Sequence, residues 1–225
     1  IGGTIDTNLS WVSSDGDVVA EPWDYNYYNI TGMNVTLMGD RLTVDIHTGY
    51  QGPHDGTNFG DLFISTGAWN PYGSPNYAED DYSNSGTTWG YAFDVSENKL
   101  YDISSAQNAV ILSNDEMGPI DPTWYRPGQA VLVDSSATGI EEVASSFQGT
   151  SGWENGIYSM SFDVAALSLG LRDEIAFRWT MTCANDVIEG KINPVPEPGT
   201  MLLLGVGLLG IAGITRRKNH IDQTN

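Results

Sequence analysis

The chain has 225 residues, 11% of them aromatic, with 26 glycines, one cysteine and nine Lys and Arg against 29 Asp and Glu, a formal net charge of −20. A surface this acidic excludes nucleic acid as a partner and suits calcium, cationic polymers or neutral glycans. Aromatic and branched aliphatic residues recur throughout, which excludes disorder, and the lone cysteine excludes an internal disulfide.

Residues 1–11 mix apolar and turn residues and hold a short first strand. Residues 13–17, Ser-Ser-Asp-Gly-Asp, form a loop, and residues 21–28 are aromatic and acidic. Hard cations take clustered carboxylates and carbonyl oxygens on loops. Asp15, Asp17 and Glu21 are therefore candidate calcium ligands, with Asp61, Asn185 and Asp186 joining them in space from strand ends. Calcium is the expected cofactor. No EF-hand is present, because Asp15-x-Asp17 lacks the later glycine and the closing glutamate. Turn formation is the competing reason for aspartates in such loops.

The clearest hairpin follows. Met33, Val35 and Leu37 alternate with polar positions, Gly39-Asp40 make the turn, and Leu42, Val44 and Ile46 alternate with Thr43, Asp45 and His47. Period-two patterning on both sides of a short glycine link predicts one packed and one wet face. Residues 49–60 form a Gly/Pro/Asp loop and residues 61–66 a strand. A second long loop spans 67–86. Strands resume at 89–95 and 99–103 around a Ser96-Glu97-Asn98 turn, with short buried runs at 110–112 and 130–133.

Residues 140–147 suit one or two helical turns, with Glu141-Glu142 placed to favour the helix dipole. Two long strands follow. Tyr158, Met160, Phe162 and Val164 alternate with polar residues. Ile175, Phe177, Trp179 and Met181 alternate with Arg178, Thr180 and Thr182. Roughly ten short strands with turn signals between them and no sustained helix predict an all-β fold, an antiparallel sandwich of jelly-roll type over residues 1–193.

The chemistry is sparse. Trp69, Tyr72 and Tyr77 on one loop, followed by Trp89, offer an aromatic platform for sugar rings; the competing reading packs the same rings over the ends of the core. Acid pairs are inevitable among 29 acids, and no Gly-x-Ser-x-Gly elbow or HExxH motif is present, so no enzyme is expected. His47 with His54-Asp55 lacks the common zinc spacings. Cys183 reads as a buried thiol, with an intermolecular bridge as the alternative.

The chain closes on a three-part tail. Pro194, Pro196 and Pro198 cannot lie inside a sheet or helix, so residues 194–200 form an extended linker. Residues 201–215 are apolar and helical in lipid, where only a helix satisfies its own backbone. The 14 residues from Met201 to Ile214 span roughly 21 Å as a helix, short of a hydrocarbon core of about 30 Å. Arg216, Arg217 and Lys218 open a basic and polar end, residues 216–225, that stays on the cytoplasmic side. A short apolar segment that stays ordered in water needs a partner, which makes a homo-oligomer or fibre a further expectation.

Val195-Pro196-Glu197-Pro198-Gly199-Thr200, the brief apolar run and the basic cluster together resemble the PEP-CTERM sorting signal, carried by exported proteins of Gram-negative bacteria that make exopolysaccharide. The resemblance implies that Pro196, Glu197 and Pro198 are read by an exosortase, a membrane processing enzyme. It implies transient anchoring in the inner membrane, then a place at the cell envelope, the cell surface or outside the cell. An exported chain needs a signal peptide, expected to precede this numbering. Residues 60–66 and 179–186 are similar to stretches of ectodomains with the same tail. The expected role is structural or adhesive in the exopolysaccharide matrix, with a calcium-assisted carbohydrate-binding module as the alternative and a polysaccharide-active enzyme behind it.

Overall fold

The structure, a computed structural model, describes residues 2–6, 25–71, 86–117, 125–167, 169 and 174–193. The linker, apolar segment and basic end expected over 194–225 lie outside the described residues. Among the described residues no helix is long and apolar enough to cross a membrane.

In chain order the first strands are β1 (Gly2–Asp6), β2 (Ile30–Met38), β3 (Arg41–Thr48), β4 (Leu62–Ser65), β5 (Tyr91–Asp94) and β6 (Lys99–Asp102). They are followed by β7 (Val110–Leu112), β8 (Ala130–Val133), β9 (Glu141–Glu142), β10 (Thr150–Glu154), β11 (Ile157–Asp163), β12 (Ile175–Thr180) and β13 (Val187–Ile192). Two single-turn helices, α1 (Tyr25–Tyr28) and α2 (Ser113–Met117), are the only α segments described.

Two antiparallel sheets form the sandwich expected from the strand pattern. One has the order β1-β2-β3-β11-β10, the other β13-β12-β4-β5-β6-β9. The chain crosses between them from β3 to β4, from β9 to β10 and from β11 to β12. β3 pairs with β11 and β4 with β12, so the first and last crossings run between neighbouring strands in both sheets.

Local chemistry sets these elements. In the β2–β3 hairpin Met38 faces Arg41, and Gly39 supplies φ +60° at the turn position reserved for glycine. Asn155-Gly156 make the equally tight β10–β11 turn with φ of 52° and 85°, values that Asn and Gly tolerate best. Between the sheets Val35, Leu37, Leu42, Val44 and Ile46 meet Leu62, Ile64, Phe177 and Trp179 in the main core. Phe93 stacks on Phe162 at 4.2 Å and Phe59 on Tyr158 at 4.0 Å.

A third layer covers the outer face of the six-stranded sheet. The β7–β8 hairpin and residues 106–109 lay Ala106, Ala109, Ala130 and Val133 over Phe63, Trp89, Ala92, Tyr101 and Ala176. Both faces of β12 are therefore buried. Arg178 and Thr180, the polar positions that alternate with Phe177 and Trp179, are buried as well: alternation in β12 separates two cores, not core from water. The helical turns expected over 140–147 are corrected. Glu141 and Glu142 pair with Asp102 and Tyr101 as an edge strand, and Lys99 Nζ reaches Glu142 Oε2 at 2.9 Å. The sheet edge offers ladder bonds that a lone helical turn in water lacks.

Candidate functional site

A cleft of about 460 Å³ opens where β4 begins and β5 ends. Its walls are Pro53, Phe59, Val95 and Leu132, with Asn58 and Ser96 among its polar groups and Asp61 and Asp94 at its floor. Pockets of this size hold small molecules.

Each carboxylate is placed by backbone. Asp94 ends β5, and its Oδ1 accepts from Ser96 N (2.8 Å), Ser96 Oγ (2.7 Å) and Glu97 N (3.0 Å), closing the Ser96-Glu97-Asn98 turn. Asn98, at φ 57°, completes that turn. Among the described residues no donor reaches Asp94 Oδ2, although the residue is only 5% exposed. Asp61 Oδ1 accepts from Val95 N at 2.9 Å and its Oδ2 from Val133 N at 2.8 Å, which clips β4 to the end of β5 and to β8. Burial, with the nearby Asp94 adding to it, pushes the Asp61 carboxyl up to about 8, while the two amides pull the other way. Tyr158, stacked on Phe59, lines the same cleft.

A second polar cluster lies sealed beneath the third layer. Arg178 Nη1 donates to Glu189 Oε2 at 2.7 Å, and both side chains are almost wholly buried. Glu189 Oε1 accepts from Trp69 Nε1 at 2.9 Å and Thr87 Oγ1 at 3.1 Å. Arg178 Nη2 donates to Gln129 Oε1. The Trp69 backbone N–H reaches Glu174 at 2.6 Å, and Lys191 Nζ also binds Glu174.

The sequence-derived candidates divide accordingly. Asp15, Asp17, Glu21, Tyr72, Tyr77, Pro196, Glu197, Pro198, Arg216, Arg217 and Lys218 lie outside the described residues. Asp186 is fully buried; its Oδ2 accepts from Ile30 N at 2.6 Å and its Oδ1 from Val187 N at 2.7 Å. The carboxylates of Asp61 and Asp186 thus bind the backbones of different strands, and Asn185 is buried beside Asp186 in the chain. Among the described residues no three His, Cys, Asp or Glu side chains gather as a metal site. Trp89, 3% exposed, lies in the second core, and Trp69 packs against that core with its N–H spent on Glu189. Cys183 is buried, and burial pushes its thiol up to about 12, which keeps it unreactive. Asp94, Phe59 and Leu132 are missed by the sequence reading; the signal for Asp94 is an Asp that ends a strand two residues before the Ser of a Ser-Glu-Asn turn.

Residues 194–218 match the family described as the PEP-CTERM protein-sorting motif. That motif marks an exported protein, anchored transiently in the membrane and sorted by an exosortase-type enzyme. No curated protein and no solved structure matches the chain.

Proposed function

We propose that this protein is an exported component of the cell surface or extracellular matrix, non-catalytic and structural or adhesive in role, released or anchored after an exosortase acts on its tail. The sorting motif at residues 194–218 carries the reading, because it follows directly on the last strand of the sandwich. A three-layer β domain with a strongly acidic chain suits a component that must stay soluble among polysaccharides. Deleting Pro196–Pro198 is expected to hold the protein in the inner membrane, measured by fractionation; release at the normal level would reject the sorting step.

The cleft favours a second reading, a carbohydrate-binding module. It joins an aromatic wall at Phe59 to polar groups at Asn58, Ser96 and Asp94, the combination that holds a sugar ring. Calcium enters this reading through the loop acids Asp15, Asp17 and Glu21. Retention on extracted exopolysaccharide, with and without a chelator, tests both parts.

A further inference from the structure

We propose that the cleft floored by Asp94 binds a primary ammonium carried on a sugar ring, that is, a hexosamine unit with a free amine. The inference rests on the carbohydrate-binding reading and gives it a place and a chemistry.

The first observation is a carboxylate oxygen that no described protein donor takes. Asp94 is 5% exposed, its Oδ1 is saturated by three donors, and no described donor reaches its Oδ2. The described ion pairs involve Asp55, Glu97, Glu142, Glu174 and Glu189, not Asp94 or Asp61. The base that feels Asp94, Lys99, is held by Glu142 at 2.9 Å and lies 3.8 Å from Glu97. The free Oδ2 is an acceptor that a ligand entering the cleft can use. A ligand that brings the cation gains what the fold withholds.

The second observation is the wall. Phe59, Pro53, Val95 and Leu132 give the cleft an apolar lining suited to the C–H face of a ring and, at Phe59, to a cation–π contact. A divalent metal is a poor fit: it would need six or more oxygens, whereas both Asp61 oxygens are taken by amides and much of the lining is carbon. Asn58 and Ser96, both exposed at the cleft, are positioned for ring hydroxyls. The acidic chain draws cations toward the cleft at long range.

The test is calorimetric titration of the full-length chain in detergent micelles with glucosamine, N-acetylglucosamine, glucose and butylamine. Glucosamine is expected to bind at least tenfold more tightly than each of the others. Asp94→Asn is expected to lower glucosamine affinity at least tenfold without shifting the melting temperature, because Asn keeps the Oδ1 acceptor that closes the turn. Leu132→Trp, which fills the cleft and leaves the charge in place, is expected to do the same. Equal binding of glucose or N-acetylglucosamine overturns the ammonium, and equal binding of butylamine overturns the sugar ring. Unchanged affinity in both variants overturns the cleft. If glucosamine fails to bind while the protein is still retained on extracted exopolysaccharide, this inference falls and the carbohydrate-binding reading stands. Loss of both results removes the two together.

Discussion

Arg178 and Glu189 place two full charges in the interior of the second core, 2.7 Å apart. Such a pair contributes little net stability, yet breaking it strands a charge in a dry site at a cost of about 3–5 kcal/mol. Glu189→Gln is expected to lower stability by that order in a denaturant melt. It leaves Arg178 charged while Trp69 and Thr87 keep an acceptor, so a loss under about 1 kcal/mol would show the pair to be wet. Asp61 carries a pH signature. Its carboxyl holds a proton in the folded state up to about 8, against an ordinary value of 3.8. The stability it lends is full below the ordinary value and vanishes as pH climbs through the folded one. The melting temperature is therefore expected to fall between pH 4 and 8 more steeply for the native chain than for Asp61→Asn; parallel slopes would remove Asp61 as the cause. Asp163 works in the opposite sense. Hydrogen bonds from Ser146 hold its carboxyl below the usual carboxylate range, so its contribution is present at neutral pH and lost in acid.

At the scale of the element, the join between β4 and β12 is tightly packed at Gly60. Gly60 N donates to Thr180 O at 3.1 Å, and Trp179 Nε1 donates to Gly60 O at 2.9 Å. A Cβ on Gly60 would meet Thr180 O at 2.3 Å and Val131 O at 2.8 Å, both backbone atoms that cannot swing away. Gly60→Ala is expected to cost on the order of 1–3 kcal/mol, read as a lowered melting midpoint; a neutral result would mean that β8 is free to move off β4. Much of the strand pattern was legible from period-two alternation, as at Met33–Leu37 and Leu42–Ile46, whose apolar positions all point into the main core. β10 was not read, although the Asn155-Gly156 pair that turns it into β11 is a local signal. Nor was β9, where Glu141-Glu142 carries no apolar period and pairs only because a sheet edge lies beside it.

For the whole molecule, the six-stranded sheet is the middle of three layers, which is why its central strands β4 and β12 are buried on both faces. Ile192 ends the last described strand and is itself in the main core. A chain ending at residue 193 is therefore expected to melt at the same temperature as the full-length protein, by circular dichroism. A drop of several degrees would mean that the tail packs into the sandwich and is not a separate address.

The sorting signal was determined by sequence alone, because prolines, an uninterrupted apolar run and a basic stop act through local covalent geometry and hydropathy, which need no fold to be read. The all-β class was determined the same way, by the alternation of neighbours along each strand. The cleft was decided only in three dimensions. Asp61 and Asp94 lie 33 positions apart in the chain, and they share a floor because β4 pairs with β5 while β8 closes over both. Whether Arg178 faces water or a second core was likewise settled by the β7–β8 layer, since alternation records that a strand has two sides and not what covers each of them.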